Sequence, residues 1–142
     1  MMSNFSAFFV ENASVDVTEE VVVSERFKDD EGKPIPWKIQ GISEAENKAI
    51  RKSSTKMVKA KGGVKLPEID PDDYTTKLVI ATVVYPNLKD AELQKNYGVM
   101  GAENLLNKML LAGEFATLWD HVQTLNGYDR DINEVMEETK ND

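Results

Sequence analysis

The segment from Gly98 to Gly127 constrains the fold most, because it contains two runs of apolar residues at helical spacing. A spacing of three and four residues gives each run one apolar face. The apolar residues are Leu105, Leu106, Met109 and Leu110 in the first run, and Phe115, Leu118, Trp119, Val122 and Leu125 in the second. Gly98 and Gly127 stand where a helix commonly ends in a left-handed residue, and Gly113 lies in the predicted break before Glu114. We therefore expect two helices that pack antiparallel as a helical hairpin.

The N-terminal part of the chain favours β structure. β-Branched residues are frequent from Val15 to Phe27, and Lys28–Pro34 combines charged residues with glycine and proline, as turns do. From Ile35 to Ile42 apolar and polar residues alternate. This pattern predicts a β-hairpin. Two strands alone are marginally stable, so the hairpin must pack on helices or pair with another strand, in this chain or in a second copy.

A helix is predicted after this hairpin. Ser43 and Glu46 have the spacing of a capping box, in which each side chain bonds a backbone N–H of the first turn. The helix should run to about Val58 or Lys59. The following segment, about 60–69, contains two glycines and a proline and is predicted to be a flexible loop.

A second start signal lies at Asp70 and Pro71, with aspartate as the cap and proline at the first helical position. It predicts a buried helix that ends before Pro86, although residues 78–84 alone would also suit a buried strand. Asp90 is expected to cap a short helix. The chain is thus predicted to be α+β, a predominantly helical single domain over residues 1–142, with a frayed N-terminal arm and an acidic C-terminal tail.

Composition argues against several kinds of active site. The chain has no cysteine, which excludes disulfides, thiolate metal clusters and a cysteine nucleophile. Its single histidine, His121, is expected on a helix surface. Asp70, Asp72 and Asp73 lack the glycine and the closing glutamate of a calcium-binding loop, so helix capping is the preferred interpretation. We expect no catalytic, cofactor-binding or metal-binding residues, and we do not expect an enzyme.

The net charge and the N-terminal residues restrict the expected partners and cellular location. The formal net charge is −8, which disfavours a dedicated nucleic-acid-binding protein. The N-terminus lacks the basic and apolar stretches of a signal peptide, and it contains no membrane span. We therefore expect a protein that stays in the cytoplasm and does not enter a membrane.

A run of basic residues interrupts this acidic chain. Its members are Lys48, Arg51, Lys52, Lys56, Lys59, Lys61 and Lys65, with no acid between them. It is interpreted either as a solvated helix face that balances acidic residues, within the fold or in a homo-oligomer, or as a surface for an acidic protein. Nucleic acid is less favoured because the run contains no aromatic residues for base stacking. The candidate partner-binding residues in the run are Arg51, Lys52, Lys56 and Lys59.

Three aromatic residues near the N-terminus, Phe5, Phe8 and Phe9, allow two interpretations. They form either a strap folded onto the core or an arm that binds a partner, since chain termini are loosely held unless a contact secures them. Both remain open from the residues alone. We include the three phenylalanines among the candidate partner-binding residues.

Several segments together resemble the XkdN-like phage tail assembly chaperones of Gram-positive phages and prophages. They are "SAFFVEN", "SERFKDDEGKPIPWKI", "SEAENKAIRKS", "DYTTKLVIATVVYP" and "DAELQKNYGVMGAENLLNKMLLAGEFATLWDHVQTLNGYDRDIN". The most specific piece is "YGVMGAENLLNKMLL", and one departure is Ala112, where the family pattern has proline. The resemblance extends over nearly the whole chain.

The resemblance implies a non-catalytic protein of the host cytoplasm that binds the tape measure protein, keeps it soluble and helps to recruit tail tube subunits. It also implies that the protein is absent from the mature virion. An alternative is a structural protein retained in the tail or connector, and a third is a nucleic-acid-binding regulator that uses the run from Lys48 to Lys65.

Overall fold

The computed structural model describes residues 4–128 of the chain. Its strands are β1 (Thr18–Val21), β2 (Trp37–Gln40), β3 (Thr55–Lys59), β4 (Lys65–Ile69) and β5 (Val83–Tyr85). Its helices are α1 (Glu44–Ser53), α2 (Pro71–Thr82), α3 (Ala91–Asn96), α4 (Ala102–Met109) and α5 (Ala112–Leu125). The fold is therefore of the mixed α+β class that the sequence predicts. The predicted acidic tail after Tyr128 lies outside the described residues.

Strand β2 is the central strand of a three-stranded sheet with the order β1-β2-β5. Val21 of β1 lies opposite Trp37 of β2, and Trp37 and Ile39 point to the same face because side chains alternate along a strand. All three are almost completely buried. The strands are shorter than the predicted ranges Val15–Phe27 and Ile35–Ile42, because the regular antiparallel pairing covers only four residues of each strand.

The third strand, β5, comes from a segment predicted to be helical. Helix α2 ends at Thr82, and the next residues pair antiparallel with β2, with Val83 opposite Ile39. The prediction that the helix continues almost to Pro86 is therefore wrong in its last turn. Val83 and Val84 are β-branched, and they satisfy the second edge of β2, which an isolated hairpin would leave unpaired.

Helix α2 lies at the centre of the packing, where it contacts α1, α4, α5 and β5. Its Leu78, Val79 and Thr82 are almost fully buried. The other buried apolar residues are Val21, Val23, Trp37, Ile39, Leu88, Leu105, Leu106, Met109, Leu118 and Val122. One apolar cluster therefore joins the sheet to the helices.

Helices α4 and α5 occupy the segment that the sequence assigns to two helical arms. Their buried residues are Leu105, Leu106, Met109, Leu118 and Val122, all of which the apolar periodicity predicts. Gly113 lies inside α5, not in the break, because Leu110 and Leu111 form the extended connection between the helices. Both helices pack against α2, and the antiparallel packing of one on the other remains a prediction.

Ala112, at the position where the family pattern has proline, is the first residue of α5. The preceding Leu111 has φ −71° and ψ 156°, which is the conformation favoured before proline. Proline is also tolerated at the first helical position, where its missing N–H has no intrahelical acceptor to lose. Alanine and proline therefore fit the same backbone.

Three helices begin at side-chain caps that the sequence predicts. The Ser43 hydroxyl accepts a hydrogen bond from the Glu46 N–H at 3.2 Å. The Asp70 carboxylate accepts one from the Asp72 N–H at 3.1 Å, and the Asp90 carboxylate accepts one from the N–H three residues further on at 2.9 Å. Each bond satisfies an N–H that has no acceptor inside its helix, so the three predicted cap residues are confirmed; the return bond from the Glu46 side chain to the Ser43 N–H remains a prediction.

A two-stranded sheet, β3 and β4, occupies residues that were predicted to be helix and loop. Helix α1 ends at Ser53, so its predicted extension to Val58 or Lys59 is wrong, and β4 lies inside the predicted loop 60–69. The physical reason is that β-branched residues, among them Thr55, Val58 and Ile69, stand on both sides of a glycine turn. Gly62 and Gly63 have φ values of 79° and 78°, and only glycine adopts this left-handed conformation without steric cost.

An ion pair links the N-terminal segment to the start of α5. The Arg26 guanidinium donates to both carboxylate oxygens of Glu114, at 3.0 Å from Nε to Oε2, and also to the Met109 carbonyl at 2.8 Å. The Glu114 carboxylate also accepts from the Leu111 N–H at 2.8 Å. Hydrogen bonds lower the pKa of Glu114 to about 2; the bond from Arg26 has the largest effect, and those from Ser24 and Leu111 have smaller effects.

This pKa predicts an acid-dependent loss of stability that replacement of Glu114 by glutamine should reduce. A carboxylate whose pKa is lower in the folded than in the unfolded chain stabilises the fold above its ordinary pKa, and this contribution is lost as the pH falls toward the folded value. The window lies between pH 4.5 and about 2. In thermal melts across it, the Tm of the wild type should fall more steeply than that of Glu114→Gln. Parallel curves for the two proteins would contradict this assignment.

Candidate protein-binding surfaces

The three N-terminal phenylalanines form an exposed aromatic surface, here called the aromatic arm (Phe5, Phe8 and Phe9). Phe5 and Phe8 are 74% and 80% exposed, and Phe9 is 43% exposed. The rings of Phe5 and Phe9 meet edge to face, with their centroids 5.4 Å apart. None of the three belongs to the apolar residues packed on the core, so the strap interpretation does not describe the structure. The arm is left available for contact with another molecule.

Replacing Phe8 and Phe9 by serine is expected to change the free energy of unfolding by only about 0.5 kcal/mol, because surface side chains contribute little to stability. Phe27 provides a matched control, since it packs against Trp37 with the ring centroids 6.1 Å apart. The Phe27→Ser variant should lower the Tm clearly more than the double variant. Thermal melts compare the three proteins, and an equally large loss in the double variant would place the arm in the core.

Two of the four basic candidate residues have ion-pair partners among the described residues, and two do not. Arg51 pairs with Glu44 at 3.0 Å, and Lys56 pairs with Asp70 at 3.1 Å. Lys52 and Lys59 form no ion pair within residues 4–128. The basic run therefore does not lie on one helix, because only its first part belongs to α1 and the rest lies on β3, on β4 or in the turn between them. The interpretation as a helix face is wrong for Lys56 and the basic residues after it.

The pairing of β3 with β4 creates a charge cluster that spacing in the sequence did not identify. Lys59 lies directly opposite Lys65 in the antiparallel register, and Lys61 lies in the turn between the strands. All three side chains are exposed. The Gly62-Gly63 pair between β-branched residues is the local signal for this hairpin, whereas the juxtaposition of Lys59 and Lys65 follows only from the register. Residues 55–69 are called the basic hairpin below.

The basic hairpin also exposes apolar side chains. Met57 is 58% exposed, Leu66 is 51% exposed and Ile69 is 42% exposed. In the antiparallel register Met57 lies opposite Pro67. Ile69, two residues further along β4, points to the same face as these two residues. Apolar and positively charged groups are thus adjacent on one exposed element, as in many protein-binding surfaces.

His121 contacts an acidic residue of the sheet. It lies half-buried on α5, with Nδ1 3.0 Å from Oε1 of Glu19 on β1. Within residues 4–128, no group of three or more histidine, cysteine or acidic side chains is arranged to hold a metal ion. Over the same residues, no helix is long and apolar enough to cross a membrane.

Comparisons with known proteins agree with the resemblance noted in the sequence. The family described as "Phage XkdN-like tail assembly chaperone protein, TAC" matches residues 5–140. YqbN of Bacillus subtilis (strain 168) is 28% identical over 137 residues, which cover 95% of this chain and 92% of YqbN. The phage-like element PBSX protein XkdN of the same strain is 24% identical over 137 residues, covering 95% of this chain and 93% of XkdN.

A solved structure shares the fold. The crystal structure of YqbN superposes with a TM-score of 0.76 at 24% sequence identity, covering 91% of this chain and 100% of that one. The likeness therefore extends over nearly all of the elements described above. Because the family match also spans nearly the whole chain, this protein belongs to the XkdN-like phage tail assembly chaperones.

Proposed function

We propose that this chain acts in tail assembly by binding the tape measure protein, keeping it soluble and helping to bring tail tube subunits to it. The family match over residues 5–140 carries the proposal. The aromatic arm supplies exposed apolar area, and the basic hairpin supplies positive charge beside apolar side chains. Contacts of these two kinds hold and select protein partners.

The proposed action is binding alone, without catalysis, in the cytoplasm of the bacterial host. The protein then leaves before the tail is complete and is absent from the mature virion. Exposed aromatic side chains suit such transient binding, because they can be buried against a partner during assembly and return to solvent when the partner dissociates. A homo-oligomer of this chain would bury the same side chains, so the test also measures the oligomeric state of the chain.

Pull-down tests the proposed partner. The tagged chain is co-expressed with the tape measure protein encoded by the same phage or prophage, and the eluate is resolved by size-exclusion chromatography. The tape measure protein should co-elute with the wild type and should be depleted with the Phe8→Ser/Phe9→Ser variant, whose fold is expected to be intact. Failure of the wild type to retain the tape measure protein would contradict the proposal.

The alternative is a structural protein retained in the tail or connector, which would use the same exposed side chains in a permanent contact. Immunoblots of purified particles and of the assembly lysate separate the two functions. The chaperone function predicts signal in the lysate and none in the particles. A signal in particles at a fixed ratio to the tube protein would favour the structural alternative. A salt-dependent mobility shift with DNA or RNA would instead favour the nucleic-acid-binding regulator.

A further inference from the structure

The hydrogen-bond pattern of the basic hairpin determines which backbone groups point outward. The Ala60 N–H donates to the Val64 carbonyl at 2.7 Å, and the Asp70 N–H donates to the Ser54 carbonyl at 2.9 Å. In an antiparallel pair, hydrogen-bonded and non-hydrogen-bonded positions alternate. The bonded positions are therefore the even-numbered residues of both strands. The N–H and C=O groups of the odd-numbered residues point away from the hairpin.

The two outer edges that result are not equivalent. The outward position at the centre of β4 is Pro67, which has no N–H to offer, and proline is a common means of blocking an exposed strand edge. The outward positions of β3 are Thr55, Met57 and Lys59, all exposed. Within the described residues, β3 pairs with β4 only. The outer edge of β3 is thus an open edge, whereas that of β4 is blocked.

Charge on the hairpin favours a negatively charged partner. Lys59 and Lys65 lie opposite each other at a non-hydrogen-bonded position, where cross-strand side chains come closest. Like charges placed in this way repel and destabilise the sheet. Neither lysine, nor Lys61 in the turn between them, has an ion-pair partner within residues 4–128. A carboxylate placed beside them would relieve the repulsion.

The same face of the hairpin carries an apolar area next to these charges. Met57 and Lys59 are two residues apart on β3, so their side chains point to the same face. A strand added to the edge could therefore place an apolar side chain beside Met57 and an acidic side chain beside Lys59. For this, its apolar and acidic residues must be separated by one residue. This spacing describes an extended segment in which apolar and acidic residues alternate on one face.

We propose that the outer edge of β3 binds an extended acidic segment of a partner tail protein as an added strand, with its carboxylates beside Lys59, its apolar side chains against Met57, and Lys65 adding positive charge from the next strand. That the partner is a tail protein rests on the proposed function. Main-chain hydrogen bonds supply affinity in this mode of recognition, and alternate side chains supply specificity. Polypeptide is favoured over nucleic acid because an open strand edge pairs with a peptide backbone, and no aromatic residue lies between Lys48 and Lys65.

A synthetic peptide tests the surface without the tail protein. The probe is Thr-Val-Thr-Glu-Thr-Val-Thr-Glu-Thr, and its counterpart has lysine in place of glutamate. Both are titrated into the full chain while amide NMR signals are recorded. The acidic peptide should shift the signals of residues 55–59, and the lysine peptide should not. Equal binding of both peptides, no binding of either, or shifts confined to other elements would overturn the proposal, as would displacement of the acidic peptide by oligothymidylate.

Charge reversal provides the variant. Lys59→Glu/Lys65→Glu replaces one like-charge pair by another, so the stability of the hairpin should change little while affinity for the acidic peptide falls by about tenfold or more. Lys89→Glu/Lys95→Glu is the matched control, because it makes the same change in net charge at two exposed lysines outside the basic hairpin. Equal weakening in both variants would indicate a general charge effect and overturn the proposal.

Edge pairing is tested separately from charge. Met57→Pro removes an outward N–H at a position that makes no hydrogen bond to β4, whereas Met57→Thr keeps that N–H and removes the apolar side chain. The proline variant should lose more affinity for the acidic peptide than the threonine variant, with amide signals of β4 confirming that the hairpin persists. Equal affinities would overturn strand addition. If the proline variant loses β4, amide hydrogen exchange of the wild type decides the question: slower exchange at Met57 and Lys59 with the acidic peptide supports strand addition, and unchanged exchange overturns it.

The tail protein completes the test and separates the two proposals. If the tape measure protein is retained in pull-down but Lys59→Glu/Lys65→Glu retains it equally and the acidic peptide does not bind, the strand-edge inference fails and the proposed function stands. If the peptide binds at residues 55–59 and the tape measure protein is not retained, the proposed function fails and the binding edge stands.

Discussion

Replacing Leu118 with alanine is expected to lower the free energy of unfolding by about 2–5 kcal/mol, the usual loss when a buried leucine is truncated. Leu118 lies on α5 with none of its surface exposed, within the cluster that joins the helices to the sheet. A loss of this size is a large part of the roughly 5–15 kcal/mol that stabilises an ordinary domain. Urea unfolding followed by circular dichroism measures it.

Leu111 is the matched control, since it carries the same side chain at a position that is 61% exposed. Leu111→Ala should stay within about 0.5 kcal/mol of the wild type. Equal losses in the two variants would show that α5 does not bury its apolar face as described. An unchanged midpoint for Leu118→Ala would instead make this face of α5 a further candidate for partner binding.

Replacing Gly41 with alanine is expected to cost about 1–3 kcal/mol, the usual penalty for overfilling a packed site. Gly41 is buried after β2, and its N–H donates to the Val17 carbonyl at 2.8 Å. A Cβ there would lie 2.8 Å from the Val15 carbonyl oxygen and 3.1 Å from a Val17 methyl group. Because the nearest atom belongs to the backbone, a rotamer change cannot relieve the clash.

The same substitution at Gly113 is its control. Gly113 lies in the first turn of α5, and a Cβ there meets no atom within 4 Å. Gly113→Ala should therefore raise stability, by at most about 1 kcal/mol given the difference in helix propensity. Opposite shifts of Tm in the two variants would support the described packing of Gly41 against Val15 and Val17. A Gly41→Ala variant as stable as the wild type would contradict it.

Sequence reasoning predicted three helix starts and the buried faces of α4 and α5 because these signals are local. The apolar periodicity of α4 and α5 identifies the residues that are buried, from Leu105 to Val122. Side-chain caps at Ser43, Asp70 and Asp90 fix three helix starts, since each depends on only the next few residues. The left-handed glycines Gly98 and Gly127 were predictable for the same reason.

The strands were harder to predict because strand formation depends on partners distant in sequence. The residues Val83–Tyr85 continue an apolar run that suits either a helix or a strand, and pairing with β2 decides the outcome. β4 was missed because Gly62, Gly63 and Pro67 together resemble a loop. Pro67 is compatible with the strand only because its missing N–H lies on the outer edge, which is a property of the register and not of the local sequence.

The candidate surfaces were predicted in part. The sequence identified the aromatic arm because three phenylalanines lie close together. Only the exposure of Phe5, Phe8 and Phe9 in the structure distinguishes an arm from a strap. The basic run was evident, yet no spacing rule separates Lys56, which is paired with Asp70, from Lys59, which has no ion-pair partner among residues 4–128. The juxtaposition of Lys59 with the lysine on β4 required the antiparallel register.

The described residues combine a buried core with two exposed elements that contribute little to it. Trp37, Ile39 and Leu118 stabilise the core, whereas the aromatic arm and the basic hairpin extend their apolar and basic side chains into solvent. Changes in the exposed elements should therefore alter partner binding with little loss of stability. This separation allows the proposed binding function to be tested with folded variants.

The solubility of the tape measure protein tests the central proposal most directly. The tape measure protein of the same phage or prophage is expressed alone, with this chain, and with the Phe8→Ser/Phe9→Ser variant, and its soluble fraction is measured after centrifugation. The proposal predicts a largely insoluble tape measure protein when it is expressed alone, a soluble one with the wild-type chain, and an intermediate fraction with the variant. A soluble fraction that does not change when the wild-type chain is present would contradict the proposal.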